Sequence, residues 1–121
     1  MDFEWYYPNS ELLKVSISDT SITFYNETVE AMGTPKYILL GFNEDNKVIG
    51  VKACETQVDN SLAFSLKQKN SYIRINDIKF IRFIKSRLGE GHIEKSKQQR
   101  YSAKWDKEKE ILYIFLEKPL N

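Results

Sequence analysis

The chain has 121 residues, of which 41% are hydrophobic and 29% charged, and its formal net charge is +1; that length and balance fit one folded domain and exclude a disordered polyelectrolyte. Its single cysteine, Cys54, excludes an internal disulfide and points to a reducing, cytoplasmic setting. No apolar run approaches the roughly 20 residues that cross a bilayer, and the acidic start Met1-Asp2-Phe3-Glu4 lacks the basic region of a secretory leader, so no membrane partner is expected.

Residues 1–14 form an N-terminal extension rich in aromatics (Phe3, Trp5, Tyr6, Tyr7), and Pro8-Asn9-Ser10 reads as a turn. The alternation in Val15–Ser18 predicts a strand, and so does the β-branched and aromatic run Ile22–Tyr25. Asn26 has the chemistry of an N-cap, and Glu27 and Glu30 suit the positive end of a helix dipole. The short helix then stops at Gly33, with Pro35 behind it and Val29 and Met32 facing the core. Tyr37–Phe42, a polar turn at 43–47 and Val48–Ala53 read as a hairpin, in which Gly50 signals a bulge or a close backbone approach. Residues 55–61 are a polar connection, and Ala63–Leu66 alternates as a strand.

The order then recurs. Tyr72–Ile75 reads as a strand. Asn76 or Asp77 caps a longer helix, Ile78–Leu88, that ends at Gly89. Its apolar arc comprises Ile78, Phe80, Ile81, Ile84 and Leu88, with Lys79, Arg82 and Ser86 opposite. A polar loop over 90–99 follows, then a strand from Arg100 to Trp105, a turn at 106–110, and a last strand from Ile111 to Leu116 that Pro119 closes. Residues 42–51 lie without a gap on residues 105–114, an offset of 63. The expected fold class is therefore α+β, mostly β, in one domain with pseudo-repeats over 15–54 and 63–117. Trp105 is expected in the core.

The pattern of Ile22-Thr23-Phe24, a short helix ending at Gly33, and two strands joined by a polar turn resembles the AbrB/MraZ-type swapped-hairpin family. It is also similar to small proteins of Gram-positive bacteria and their phages. The resemblance implies duplicated strand–strand–short helix–hairpin units interlocked in one swapped-hairpin-like barrel, and a DNA-binding, regulator-like role. Members of that family place arginines before the second strand and in the short helix. Here the matching positions are Asp19-Thr20-Ser21 and Glu27-Thr28-Val29-Glu30-Ala31-Met32. No DNA contact is therefore assigned to the first half.

Charge separates the halves. Residues 1–66 hold four basic and ten acidic residues, whereas residues 67–104 hold eleven basic and three acidic. The candidate nucleic-acid-binding residues are Lys67, Lys69, Arg74, Lys79, Arg82, Lys85 and Arg87, because clustered cations release counterions from phosphate. A solvated basic face on a core helix explains the same residues equally well. No catalytic or metal-binding constellation emerges: His92 is the sole histidine, it sits in a glycine-containing loop, and Cys54 ends a strand as a small hydrophobe. The expectation is a non-enzymatic protein without cofactor or metal, monomeric or homodimeric, that binds nucleic acid through its second half. The alternative is a protein-binding module or inhibitor of phage or mobile-element type, recognised through its acidic half and N-terminal aromatics.

Overall fold

The structure is a computed structural model, and it describes residues 1–3, 13–68, 71–88 and 97–120. In chain order it holds β1 (Leu13–Ile17), β2 (Ile22–Tyr25), α1 (Asn26–Ala31), β3 (Tyr37–Asn43), β4 (Val48–Cys54), β5 (Leu62–Ala63), a 3-10 turn (Ser65–Lys67), β6 (Tyr72–Ile75), α2 (Ile78–Leu88), β7 (Gln99–Asp106) and β8 (Ile111–Leu120). It is mostly β. The strands form one curled antiparallel half-barrel sheet in the order β5-β3-β4-β8-β7-β1-β2-β6. Among the described residues no helix is long and apolar enough to cross a membrane.

Period-two alternation sets the two faces of the sheet. Val15 and Ile17, Ile22 and Phe24, Ile49 and Val51, Ile73 and Ile75, Tyr101 and Ala103, and Leu112, Ile114 and Leu116 all turn into one buried cluster. Ile81, Ile84 and Leu88 of α2 and Val29 and Met32 near α1 join it. Phe24 and Phe64, both fully buried, meet edge to face with centroids 5.0 Å apart, a geometry favoured by the ring quadrupoles.

The two hairpins correspond pair by pair. Gly41↔Gly50, Phe42↔Ile49 and Asn43↔Val48 in β3–β4 recur as Lys104↔Tyr113, Trp105↔Leu112 and Asp106↔Ile111 in β7–β8. Both turns are held alike. The Asn43 Oδ1 accepts from Asn46 N at 2.9 Å, and the Asp106 Oδ1 accepts from Lys109 N at 3.1 Å. Each turn also closes on a residue with positive φ, Lys47 (55°) and Glu110 (57°). These side chain-to-backbone bonds are why polar Asx residues end both outgoing strands. β4 and β8 then pair centrally, with Gly50 opposite Tyr113. Reciprocal backbone bonds flank that pairing: Leu116 N to Lys47 O (3.0 Å) and Ala53 N to Glu110 O (2.9 Å).

Several expectations change in detail. The N-cap of α1 is Tyr25, which makes no side-chain cap bond, and Asn26 lies in the first turn with its amide donating to Glu30 Oε1. β2 runs straight into α1, so no residue is left between them to serve as an Asx cap. Asp77 does cap α2, accepting from Phe80 N at 3.0 Å. Gly50 makes no bulge: its register is continuous on both sides, and the irregularity falls between Tyr101 and Ala103. Of the 63–66 segment only Ala63, with Leu62 before it, is extended on β3, and Ser65–Lys67 tightens into a 3-10 turn next to the buried Phe64. β8 does not stop before Pro119, which pairs with Tyr101 beyond Phe115, the last residue of β8 paired with β4. Ile78 is 44% exposed rather than part of the apolar arc, and Trp105 is half-buried.

Candidate functional site

The charged residues of the second half project from two neighbouring elements, β6 and α2. α2 carries Lys79, Arg82, Lys85 and Arg87 with no carboxylate along its length. Because Ile81, Ile84 and Leu88 are buried, Lys79, Arg82 and Ser86 are exposed on the far side, and Lys85 is half-buried at the margin. Arg87 stacks its guanidinium 5.2 Å from the Phe83 ring, itself 44% exposed and edge-on to Phe42.

On β6 the buried Ile73 and Ile75 put Tyr72 and Arg74 on the face away from the core. Strand pairing extends that face across three more strands. Arg74 is opposite Thr23, Thr23 opposite Ser16, and Ser16 opposite Arg100, while Lys14 pairs with Ser102 and Tyr25 with Tyr72. These eight positions hold three cations and five hydroxyls, without a carboxylate; Lys14, Arg74 and Arg100 are exposed and Tyr25 and Tyr72 half-buried, whereas Ser16, Thr23 and Ser102 are buried beneath them. Arg74 is fixed twice: its guanidinium carbon lies 5.1 Å from the Tyr72 ring centroid and its Nε donates to Thr23 Oγ1 at 3.1 Å. The Ser16 and Tyr25 hydroxyls share a 2.5 Å hydrogen bond, and Gln98 Nε2 donates to Thr23 Oγ1 at 3.4 Å. The buried hydroxyls of Ser16 and Thr23 are thus satisfied by Tyr25, Arg74 and Gln98, and the bond to Thr23 fixes the direction of the exposed Arg74 side chain.

Lys67 and Arg74 are brought together. Both line a cleft of about 240 Å³ between the sheet's two edge strands, with Leu62 and Ala63 on one wall and Ile75, Asn76 and Asp77 on the other. Lys69 and His92 lie outside the described residues, as do Trp5, Tyr6 and Tyr7. Cys54 is half-buried and its Sγ donates to Lys52 O at 3.7 Å. Among the described residues no group of His, Cys, Asp and Glu has the makings of a metal site. Lys14 and Arg100 were missed in the sequence because they join the face only through the pairing of β1 with β7, whose partners Val15 and Tyr101 are far apart in the chain. The alternation of each strand was the available signal; the register was not.

Compared with known protein families, curated proteins and solved structures, the chain matches none.

Proposed function

We propose that this protein is a non-enzymatic nucleic-acid-binding protein, using the outward face of β7-β1-β2-β6 together with the exposed face of α2. The observation that carries the reading is the run of Lys14, Arg74 and Arg100 on the outward face of the sheet, with no carboxylate among their strand neighbours, and a second cationic surface on α2, which packs on the core side and holds four cations and no acid. Cations displace condensed counterions, and guanidinium N–H groups hydrogen-bond phosphate oxygens, so such a face binds the backbone with little demand on sequence. Its anchored Arg74 loses less freedom on binding than a solvated side chain does.

The architecture proposed with it is a duplicated strand–strand–short helix–hairpin unit, swapped-hairpin-like, over 15–54 and 63–117. In its support, the β4–β8 register is unchanged when each residue is exchanged for its counterpart 63 positions away, so that Val48↔Phe115 becomes Lys52↔Ile111. The earlier strands obey the same exchange at an offset of 51: Ile17↔Ile22 corresponds to Gln68↔Ile73, and Ile22↔Ile75 to Phe24↔Ile73. The two offsets differ because α2 and the segment after it are longer than α1 and its loop. On this reading the binding face belongs mainly to the second unit.

The test is a salt titration of binding to a duplex and to a single strand of mixed sequence. The wild type is expected to bind at low salt and to lose affinity linearly on a log–log plot. The combined Arg74→Gln, Lys79→Gln and Arg82→Gln variant is expected to keep its melting temperature while losing binding and flattening the slope by about 0.7–0.9 per lost contact. Wild-type affinity in that variant, or no binding by the wild type at low salt, overturns the proposal.

A further inference from the structure

Gly41 and Gly50 are directly paired in the middle of β3 and β4. Glycine weakens a strand, because it frees the unfolded chain and packs nothing. The usual intramolecular reasons for it are absent here. Among the described residues the one glycine with positive φ is Gly33. A Cβ at Gly41 would meet nothing within 4 Å, and one at Gly50 only Ile111 Cγ2 at an ordinary 3.8 Å. In the other hairpin the same two places hold Lys104 and Tyr113. What the pair of glycines does create is space: a slot of about 590 Å³ on the outer sheet face, floored by their backbone, walled by Tyr113 and Phe115, and ended by Asn43 and Asn46. That volume falls within the roughly 300–1,000 Å³ of small-molecule sites.

The lining chooses the occupant. Among the described residues none that lines the slot is charged, so a phosphate or carboxylate would lose its hydration without a counter-charge. The floor is side-chain-free backbone beside an aromatic wall, a shape that a flat ring fills and a flexible chain does not. The polar groups sit at one end only. Asn43 Oδ1 already accepts from Asn46 N, which leaves the Asn43 amide N–H groups to donate to a ring substituent. We propose that this slot binds an uncharged aromatic or heteroaromatic small molecule, its ring lying over Gly41 and Gly50 against Tyr113. This site is separate from the cationic face and does not depend on it.

The experiment is an amide NMR titration of the full chain with indole, and with hexanol as an open-chain compound of comparable hydrophobicity. Indole is expected to give saturable shifts at Gly41, Gly50 and Tyr113, and hexanol none. Gly41→Val and Gly50→Ala each put a side chain on the floor where the ring is proposed to lie; they are expected to hold or raise the melting temperature while weakening the indole shifts, Gly41→Val the more strongly. A core defect would move both readouts down together, so the opposite signs identify the slot. Absence of saturable indole shifts in the wild type overturns the proposal, as do equal shifts with hexanol. It is also overturned if the wild type sediments as a dimer that Gly41→Val dissociates, because the occupant is then a second copy of the chain.

Discussion

Single side chains hold this sheet together where the backbone ladder stops. The β1–β2 ladder ends at Val15↔Phe24 because β2 turns into α1, and Thr28 takes over. Its fully buried hydroxyl donates to Lys14 O at 2.8 Å and accepts from Lys14 N at 3.2 Å. Thr28→Val keeps the shape but strands both backbone groups, and is expected to cost about 1–3 kcal/mol in chemical denaturation; a cost near zero would show that water replaces the hydroxyl. Tyr101 makes a pH prediction. Burial pushes its hydroxyl above the ordinary value of 10.0. The folded state therefore keeps a proton that the unfolded state gives up, so stability is fully present below pH 10 and falls as pH rises from there toward the raised value. Denaturation midpoints between pH 8 and 11 are expected to fall less steeply for Tyr101→Phe than for the wild type; parallel curves would assign the alkaline loss to other groups.

Elements were legible in the sequence wherever one short stretch carries its own signal. α2 could be bounded from an amphipathic period and the pair Asn76-Asp77, between which the structure selects Asp77, and Asp77→Ala is expected to remove about 1 kcal/mol through the lost bond to Phe80 N; an unchanged melting temperature would show that the cap is dispensable. The hairpins were legible because an aromatic, an Asx turn and an apolar return strand recur at one spacing. The cap of α1 was misread because Asn26 is equally suited to a cap and to a first turn, and only the direct β2–α1 junction decides between them. Trp105 was expected in the core, since a large apolar ring on an alternating strand normally packs there. At the hairpin end it packs on the core with one side exposed, so Trp105→Ala is expected to cost about 1–3 kcal/mol by thermal melting, less than the ~3–5 kcal/mol of an enclosed ring. The candidate site was half legible for a similar reason. The cations of α2 share one helix and can be read off a wheel, whereas the β6 face is assembled from residues 14–25, 72–74 and 100–102 by long-range pairing.

The sheet order makes the two halves of the chain inseparable. Of its seven strand junctions, only the three hairpins β1–β2, β3–β4 and β7–β8 join strands of the same half; β5–β3, β4–β8, β7–β1 and β2–β6 all cross between halves. Within residues 1–60 the two hairpins do not touch as neighbours in the sheet, because β8 and β7 lie between them. Each half alone is thus a pair of hairpins or less, and an isolated two-stranded hairpin is at best marginally stable in water. The whole chain is expected to melt in one two-state transition. Fragments 1–60 and 61–121, separated in the exposed polar connection, are each expected to show no cooperative unfolding by circular dichroism and to regain it on equimolar mixing. The same interdependence links the cationic face to the fold: β7 and β6 come from one half and β1 and β2 from the other, so phosphate binding should return only in the mixture. A cooperative transition in either fragment alone would show that its strands find a pairing other than that of the intact sheet.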